Sequence, residues 1–466
     1  MLAARVRSLL SVAVLATALF GLASPAALAA RKAPPLPPPT GTVVNVSTVS
    51  ALMSAISGAT PGTTIMVADG FYDLGVYGHS VSFNADNVTL RGASGNRDAV
   101  IIKGQGMSVS SGSTPTIFHV FSDDVMIADL TLRDAYYHLI QVHGENIADR
   151  FHIYNCRLID SGEQFIKVSV NAAAQPKKCE NGIVEYCQFE FTTTSRWWYT
   201  HGVDILNAKD WIIRDCVFRN IRGPAGVLTG GAILAWQKSE GTIVERCEFY
   251  ECDFGVNFGN GGGSVGDHTG GIIRNNFIYR KGNFGDVAIT CVFASNFQIY
   301  NNTCILNGTF PWVIDYRFPS STGTIAYNIT DGNILARDGA TATLTGNLTN
   351  AQPSWFVDHA NGNLHLASTA SACINQAASL AAVTDDVDGD PRPMGTTPDT
   401  GADEFTWPGD ITRDGKVNVF DLQRMGASWN KQQGQPGYNP ACDLTGDNKV
   451  NVFDLQVMAS NWNKSV

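Results

Sequence analysis

The chain has 466 residues, 44% of them hydrophobic, which supplies a large core and excludes wholesale disorder. Charged residues are only 16%, and the 46 glycines exceed glycine's usual share of about 7%, a balance that favours β-structure over helix. The net charge of −10 argues against non-specific nucleic-acid binding.

Residues 1–29 have the pattern of a secretory signal. Arg5 and Arg7 precede an apolar run from Leu9 to Leu22, and Ala27-Leu28-Ala29 offers a small-x-small cleavage site. The apolar run is short for a membrane span, and no later stretch is long enough, so the expectation is a secreted protein with no membrane span. Residues 30–41, rich in proline, form a stiff spacer rather than part of the fold.

A short strand ending in a small or polar residue then recurs: VMIADLTL, FHIYNCRL, GIVEYCQF, WIIRDCVF, TIVERCEF, IIRNNFI, QIYNNTCI, TIAYNITD and TLTGNLT. The matching positions are Asp129, Cys156, Cys187, Cys216, Cys247, Asn276, Asn302, Asn328 and Asn347. A period of this length without helices predicts a solenoid of one coil per repeat, with these residues stacked as an internal ladder. Recurrence at one coil position favours stacked small residues over disulfides for the four ladder cysteines. Over about residues 42–365 the pattern resembles the right-handed parallel β-helix of secreted pectate-lyase-like carbohydrate-active proteins. Residues 47–57, with helical apolar spacing, look like its capping helix, and 385–405 like its irregular tail, so one domain is expected over 42–405. The acidic run DVDGD there suits a plain turn better than a calcium site.

Each coil holds a second strand: HLIQVH, QFIKVS, HGVDIL, GAILAW, FGVNFG, VAITCV, WVIDYR. Apolar third and fifth positions point inward, so the fourth and sixth should face solvent. The fourth-position column reads Gln141, Lys167, Asp204, Leu234, Asn257, Thr290, Asp315, and the sixth includes His143, Trp236 and Arg317. His138 and His201 begin their strands. Two loops, FTTTSRWWYT with Tyr199 and IRGPAGVLTG, should wall a groove over this column.

An elongated groove with Lys, His, Asp, Tyr and Trp suits a polysaccharide. β-Elimination on a uronic-acid sugar needs a neutralised substrate carboxylate, a base for the C5 proton and an acid for the leaving oxygen. Lys167, His138 and His201 can fill these roles, with Asp204 orienting a histidine or holding a cation. Gln141, His143, Tyr199, Trp236, Asn257 and Arg317 are the substrate-binding candidates. Hydrolysis needs two carboxylates about 5–5.5 Å or 6.5–9.5 Å apart, and Asp204 has no acidic partner on its neighbouring coils. The favoured reading is a lyase acting on an acidic polysaccharide. A glycoside hydrolase and a non-catalytic carbohydrate-binding surface protein are the alternatives.

The C-terminus carries DITRDGKVNVFD (410–421) and DLTGDNKVNVFD (443–454), two loops with oxygen donors at EF-hand positions. Their sixth residues, Gly415 and Asn448, suit left-handed backbone. Each loop enters a short apolar helix. The duplicated loop-helix ending in Asp resembles a type I dockerin over 408–466, a small α-helical domain. The resemblance implies two calcium ions and a cohesin-bearing partner that could hold the protein at a cell surface. The implied ligands are Asp410, Thr412, Asp414, the Lys416 carbonyl, Asn418 and Asp421, then Asp443, Thr445, Asp447, the Lys449 carbonyl, Asn451 and Asp454. A third calcium in the β-helix is the alternative reading of DVDGD. Val419-Phe420 and Val452-Phe453 stand where dockerins usually contact their partner, or else pack the two halves together.

Overall fold

The computed structural model describes residues 31–76, 80–109, 115–146, 148–170, 177–261 and 266–466. The signal segment lies outside them. Among them, no helix is long and apolar enough to cross a membrane.

The chain winds into a parallel β-helix. Three long sheets of twelve, ten and ten strands run the length of the coils, with a narrow fourth of five. Among the described residues every strand pairing between coils is parallel, and the one antiparallel strand pair, Phe356–Asp358 with Asn363–Leu366, lies beyond the last coil. The alternation of apolar and polar residues feeds one face of each strand into a continuous interior. That interior includes a stack of Phe189, Phe218 and Phe249, with successive ring centroids 4.5 and 4.9 Å apart. Helix α1 (Val49–Ser57) caps the first coil, its N-terminus held by the Thr48 hydroxyl and its apolar stripe, Leu52 and Ile56, buried. The cap covers core that would otherwise meet water.

The ladder runs as the spacing predicts from Cys156 onward. All ten cysteines are buried and unpaired. Beyond Cys247, asparagine amides replace thiols: Asn276 Nδ2 donates to Asn302 Oδ1 at 2.9 Å, Asn302 to Asn328 at 2.9 Å and Asn328 to Asn347 at 2.8 Å. Each receiving oxygen also accepts the backbone N–H of the previous asparagine, so no amide oxygen of this ladder is left over.

Asp129 is the exception. Pairing of Tyr154 with Ala128 aligns Cys156 with Leu130, one residue later than the ladder expected. Asp129 stands instead in the adjoining column with Asn155, Tyr186, Asp215, Arg246, Asn275, Asn301 and Tyr327, all with φ between 48 and 56°. This column turns the chain between two sheets in left-handed backbone, which costs an L-residue energy. Ion pairs and amide bonds up the stack offset that cost, among them Arg246 with Asp215 at 2.9 Å and Asn155 with Asp129 at 2.7 Å.

The proline-rich segment is seated, not a free spacer. Its prolines cannot donate, so they offer carbonyls only. Arg91 donates to Pro37 and Leu36, and the Tyr154 hydroxyl to Pro34. Arg31 pairs with Asp215 at 2.7 Å.

The tail returns along the coils. Arg392 and Glu404 form a fully buried ion pair at 2.6 Å. Asp386 accepts the N–H groups of Asp388, Asp390 and Glu404, so the DVDGD run closes as a turn around one carboxylate. Two further helices, α2 (Val419–Ala427) and α3 (Val452–Ser460), follow, each opened by an Asn–Asp capping box. Their shared core is Val417, Met425, Cys442, Val450 and Met458.

Candidate functional site

The ten-stranded sheet carries the outward column in the register read from the sequence. Gln141 pairs with Lys167, Lys167 with Asp204, Asp204 with Leu234, Leu234 with Asn257, Asn257 with Thr290 and Thr290 with Asp315. Ile166, Val168, Val203 and Ile205 point the other way and are fully buried.

The column is not, however, open to solvent. Asp204 is 0% exposed, Asp315 2% and Asn257 4%. The walls that the two loops were expected to build lean over the strands, and the carboxylates are buried because each finds several donors.

Around Asp204 the donors are three. Lys167 Nζ lies 2.5 Å from Oδ2, the Tyr199 hydroxyl donates to the same oxygen at 3.1 Å, and Trp236 Nε1 donates to Oδ1 at 2.8 Å. Lys167 Nζ also donates to the Tyr199 oxygen at 2.6 Å. Burial alone would raise the Asp204 carboxyl; the charge of Lys167, with the hydrogen bonds from Lys167 and Trp236, overrides it and holds the group below its ordinary value. Tyr199 is pushed up, first by burial and then by Asp204, so the phenol keeps its proton. Asp204 therefore holds an ammonium, not a histidine. Trp236 spends its polar edge on Asp204, which anchors the indole. The expectation that this cluster faces solvent is corrected: Lys167 has a side-chain exposure of 12% and its partner none.

The histidines divide differently from the sequence grouping. His201 is 1% exposed and its Nδ1 donates to the Gly231 carbonyl at 2.9 Å, which leaves Nε2 buried without a partner. A β-carbon on Gly230 would overlap its ring, so glycine is required there. His138 is buried, its Nδ1 unpartnered, and burial followed by the field of Lys167 pushes it down to about 3. Both are uncharged groups packed behind the cluster. His143 belongs to another set, with Glu145 at 2.7 Å and His119 at 3.0 Å. His119 extends the column one coil before Gln141. The sequence analysis missed it although TIFHVF has the same alternation, with Phe118 and Val120 inward.

Farther along, a cleft of about 450 Å³ opens between Tyr199, His201 and Asn257 at one end and Asp286, Asp315 and Arg337 at the other. Trp198, 57% exposed, stands on its rim. Asp315 accepts from Thr290 at 2.5 Å, Arg337 at 2.7 Å and Trp312 Nε1 at 3.2 Å. Asp286, raised by burial and then by the Asp315 charge, lines the same cleft. It sits in a loop before its strand, where no periodicity marks it. Arg317 pairs with Asp338 at 2.7 Å and stands beside Arg337 in register. Arg196 stacks on Tyr136 at 4.0 Å, so it fastens its loop rather than facing the groove.

In the C-terminal loops Gly415 and Asn448 adopt φ of 78 and 65°, as their position requires. The donor set converges. Asp421 accepts from the Thr412 and Asn418 backbones, Asp454 from Thr445 and Asn451, and Asp410 is raised to about 6 by burial, then by Asp421 and Asp414. Crowded carboxylates with this oxygen pattern fit a hard divalent cation. Val419, Phe420, Val452 and Phe453 are 50–60% exposed, so they do not pack the two halves together.

Residues 201–375 match the family model of the right handed beta helix region, and 408–461 that of the dockerin type I domain. No curated protein matches the chain. Similar solved structures include an alginate lyase from Paenibacillus sp. str. FPU-7, 16% identical, covering 66% of this chain and 99% of its own at a TM-score of 0.42. Pectate lyase Pel9A is 13% identical over 78% of this chain and 96% of its own, TM-score 0.43. A pectate lyase from Bacillus sp. N165, solved with trigalacturonate, is 15% identical over 51% and 81%, TM-score 0.35. With its coils, ladder and paired loop-helices matched by these two family models, the chain is a right-handed parallel β-helix protein that ends in a dockerin type I domain.

Proposed function

We propose that the protein cleaves a uronic-acid-containing polysaccharide by β-elimination at the Lys167–Tyr199–Asp204 cluster. The observation that carries this reading is a protonated phenol held between an ammonium and a buried carboxylate on the floor of a groove. In the reaction the C5–H bond breaks, its electron pair forms the C4=C5 bond, and the C4–O bond breaks with its pair leaving on oxygen. Tyr199 gives its proton to that oxygen and Lys167, already donating to the phenol oxygen, replaces it. Until that proton moves, the Lys167 charge stabilises the carboxylate-flanked carbanion. Asp204, with Trp236, fixes where the ammonium sits. Gln141, Asn257 and Arg317 line the path of the chain on either side.

The test is incubation with pectate, alginate and other uronate polymers, reading the ultraviolet absorbance of the unsaturated product. Tyr199→Phe should abolish it while the thermal midpoint holds. Reducing ends without that absorbance would instead support hydrolysis, which one observation favours: Asp286 and Asp315 share the cleft, one raised and one held by Arg337.

The dockerin type I domain, in the same reading, binds two calcium ions through Asp410, Thr412, Asp414, Asn418 and Asp421 with the Lys416 carbonyl, and through the matching set from Asp443 to Asp454. The ions would cross-link each loop and neutralise its carboxylates. The exposed Val419-Phe420 and Val452-Phe453 pairs would meet a cohesin-bearing partner outside the cell. Chelation should expose residues 408–466 to protease and spare the coils; cleavage indifferent to chelator would overturn the calcium assignment.

A further inference from the structure

Elimination needs an unshared pair to take the C5 proton, and the two histidines beside Asp204 are almost wholly buried, although the His201 ring borders the cleft. A third histidine is not. His119 lies one coil before Gln141 and two before Lys167 in the same outward column, half-buried rather than enclosed. At about 4.8 Å per coil, a sugar ring lying over Gln141 has His119 on one flank and Lys167 on the other.

Behind His119 runs a chain of hydrogen bonds that has one direction while both imidazoles are uncharged. Glu145 accepts the Ser169 hydroxyl at 2.7 Å on Oε2 and faces His143 Nδ1 at 2.7 Å on Oε1. Burial opposes the charge on Glu145, but the bonds from His143 and Ser169 win and bring it down to about 2, so it is an acceptor only. His143 must then carry its hydrogen on Nδ1. Its Nε2 is left to accept from His119 Nδ1, 3.0 Å away. The His119 hydrogen is thereby fixed on Nδ1, and Nε2 keeps a lone pair with no partner among the described residues. The Phe121 ring, stacked on His143 at 3.9 Å, holds the middle of the chain in place. Burial pushes His119 down to about 4, so its imidazole is uncharged at neutral pH. The charged or titratable groups around it are His143, with Glu145 behind, and His138.

We infer that His119 is the base of the proposed elimination, taking the C5 proton on Nε2, and that Glu145 and His143 are positioning residues that set its tautomer. The proton taken by His119 and the proton given by Tyr199 balance the step. This inference rests on the lyase reading, and the experiment separates the two. Histidine ¹⁵N spectra of the full chain should show His119 protonated on Nδ1 and bare on Nε2, and Glu145→Gln should disturb that pattern. On the polymer that the wild type degrades, His119→Gln should lower kcat by about 10²–10⁴-fold with KM little changed. Glu145→Gln should lower kcat less and shift the acid limb of the pH profile. A hydrogen on His119 Nε2 in the wild type, or His119→Gln with undiminished kcat, would overturn the inference and leave the lyase reading standing. Absence of unsaturated product from every uronate polymer would remove the lyase reading, while the spectra would still decide the direction of the chain.

Discussion

Two carboxylates occupy the same position of the same column, four coils apart, and are attended in nearly the same way. Asp204 and Asp315 are both buried, and each accepts an indole N–H, a hydroxyl and a cation from a neighbouring coil. The attendants differ in chemistry. At Asp204 the hydroxyl is a phenol from a loop, bonded to a lysine, which has a proton that chemistry can use. At Asp315 it is the aliphatic hydroxyl of Thr290, rooted in a strand, and the cation is the always-charged guanidinium of Arg337. In the proposed function, one motif of burial thus serves for proton transfer at one end and for holding a chain at the other.

Chemistry should separate the ends most. Tyr199→Phe or Lys167→Ala should cost about 10²–10⁴-fold in kcat, whereas Thr290→Val should leave kcat near wild type; equal losses would erase the distinction. Stability comes next. Lys167→Ala leaves a fully buried carboxylate unpaired and should cost about 3–5 kcal/mol in denaturant unfolding of the β-helix. Arg337→Ala should cost less, because the side-chain exposure of Arg337 is 31% against 12% for Lys167. Binding follows. Arg317→Ala with Arg337→Ala should raise KM about tenfold, or about 1.4 kcal/mol, with kcat unchanged, read in steady-state kinetics.

The smallest effect is in pH. His119 and His138, near Asp204, are lowered to about 4 and about 3, and burial is the leading cause for each. A histidine with a depressed value is neutral in the fold, so its contribution is intact above about 6.5 and is lost as pH falls toward 3. The thermal midpoint should fall over that window, and His138→Gln should flatten the fall. The register neighbours of Asp315 are Thr290 and Leu335, not histidines, so Thr290→Val should leave the slope unchanged.

How much of this was legible follows from what periodicity carries. Alternation of two and a repeat of one coil fix the register, so the column from Gln141 to Asp315 could be read residue by residue. The same alternation says nothing about what folds over a strand, and it assigned Asp204 and Lys167 to solvent because the loop from 191 to 200 has no period. Asp129 was misplaced by one residue because a polar left-handed turn residue immediately precedes each ladder position, and in that coil the ladder residue is the apolar Leu130. His119 was within reach of the pattern, whereas Asp286, in a loop, was not.

The seated N-terminal segment sets an order of assembly. Ten steps of polyproline chain reach about 31 Å, and six strand spacings from the first coil to Asp215 span about 29 Å, so residues 31–41 are long enough to lie taut across seven coils. Their partners come 54, 120 and 184 residues later in the chain. The first part of this stretch to be synthesised is therefore the last to be fastened: each new coil lets it grip one more rung, and its outermost contact waits until residue 215 has been laid down.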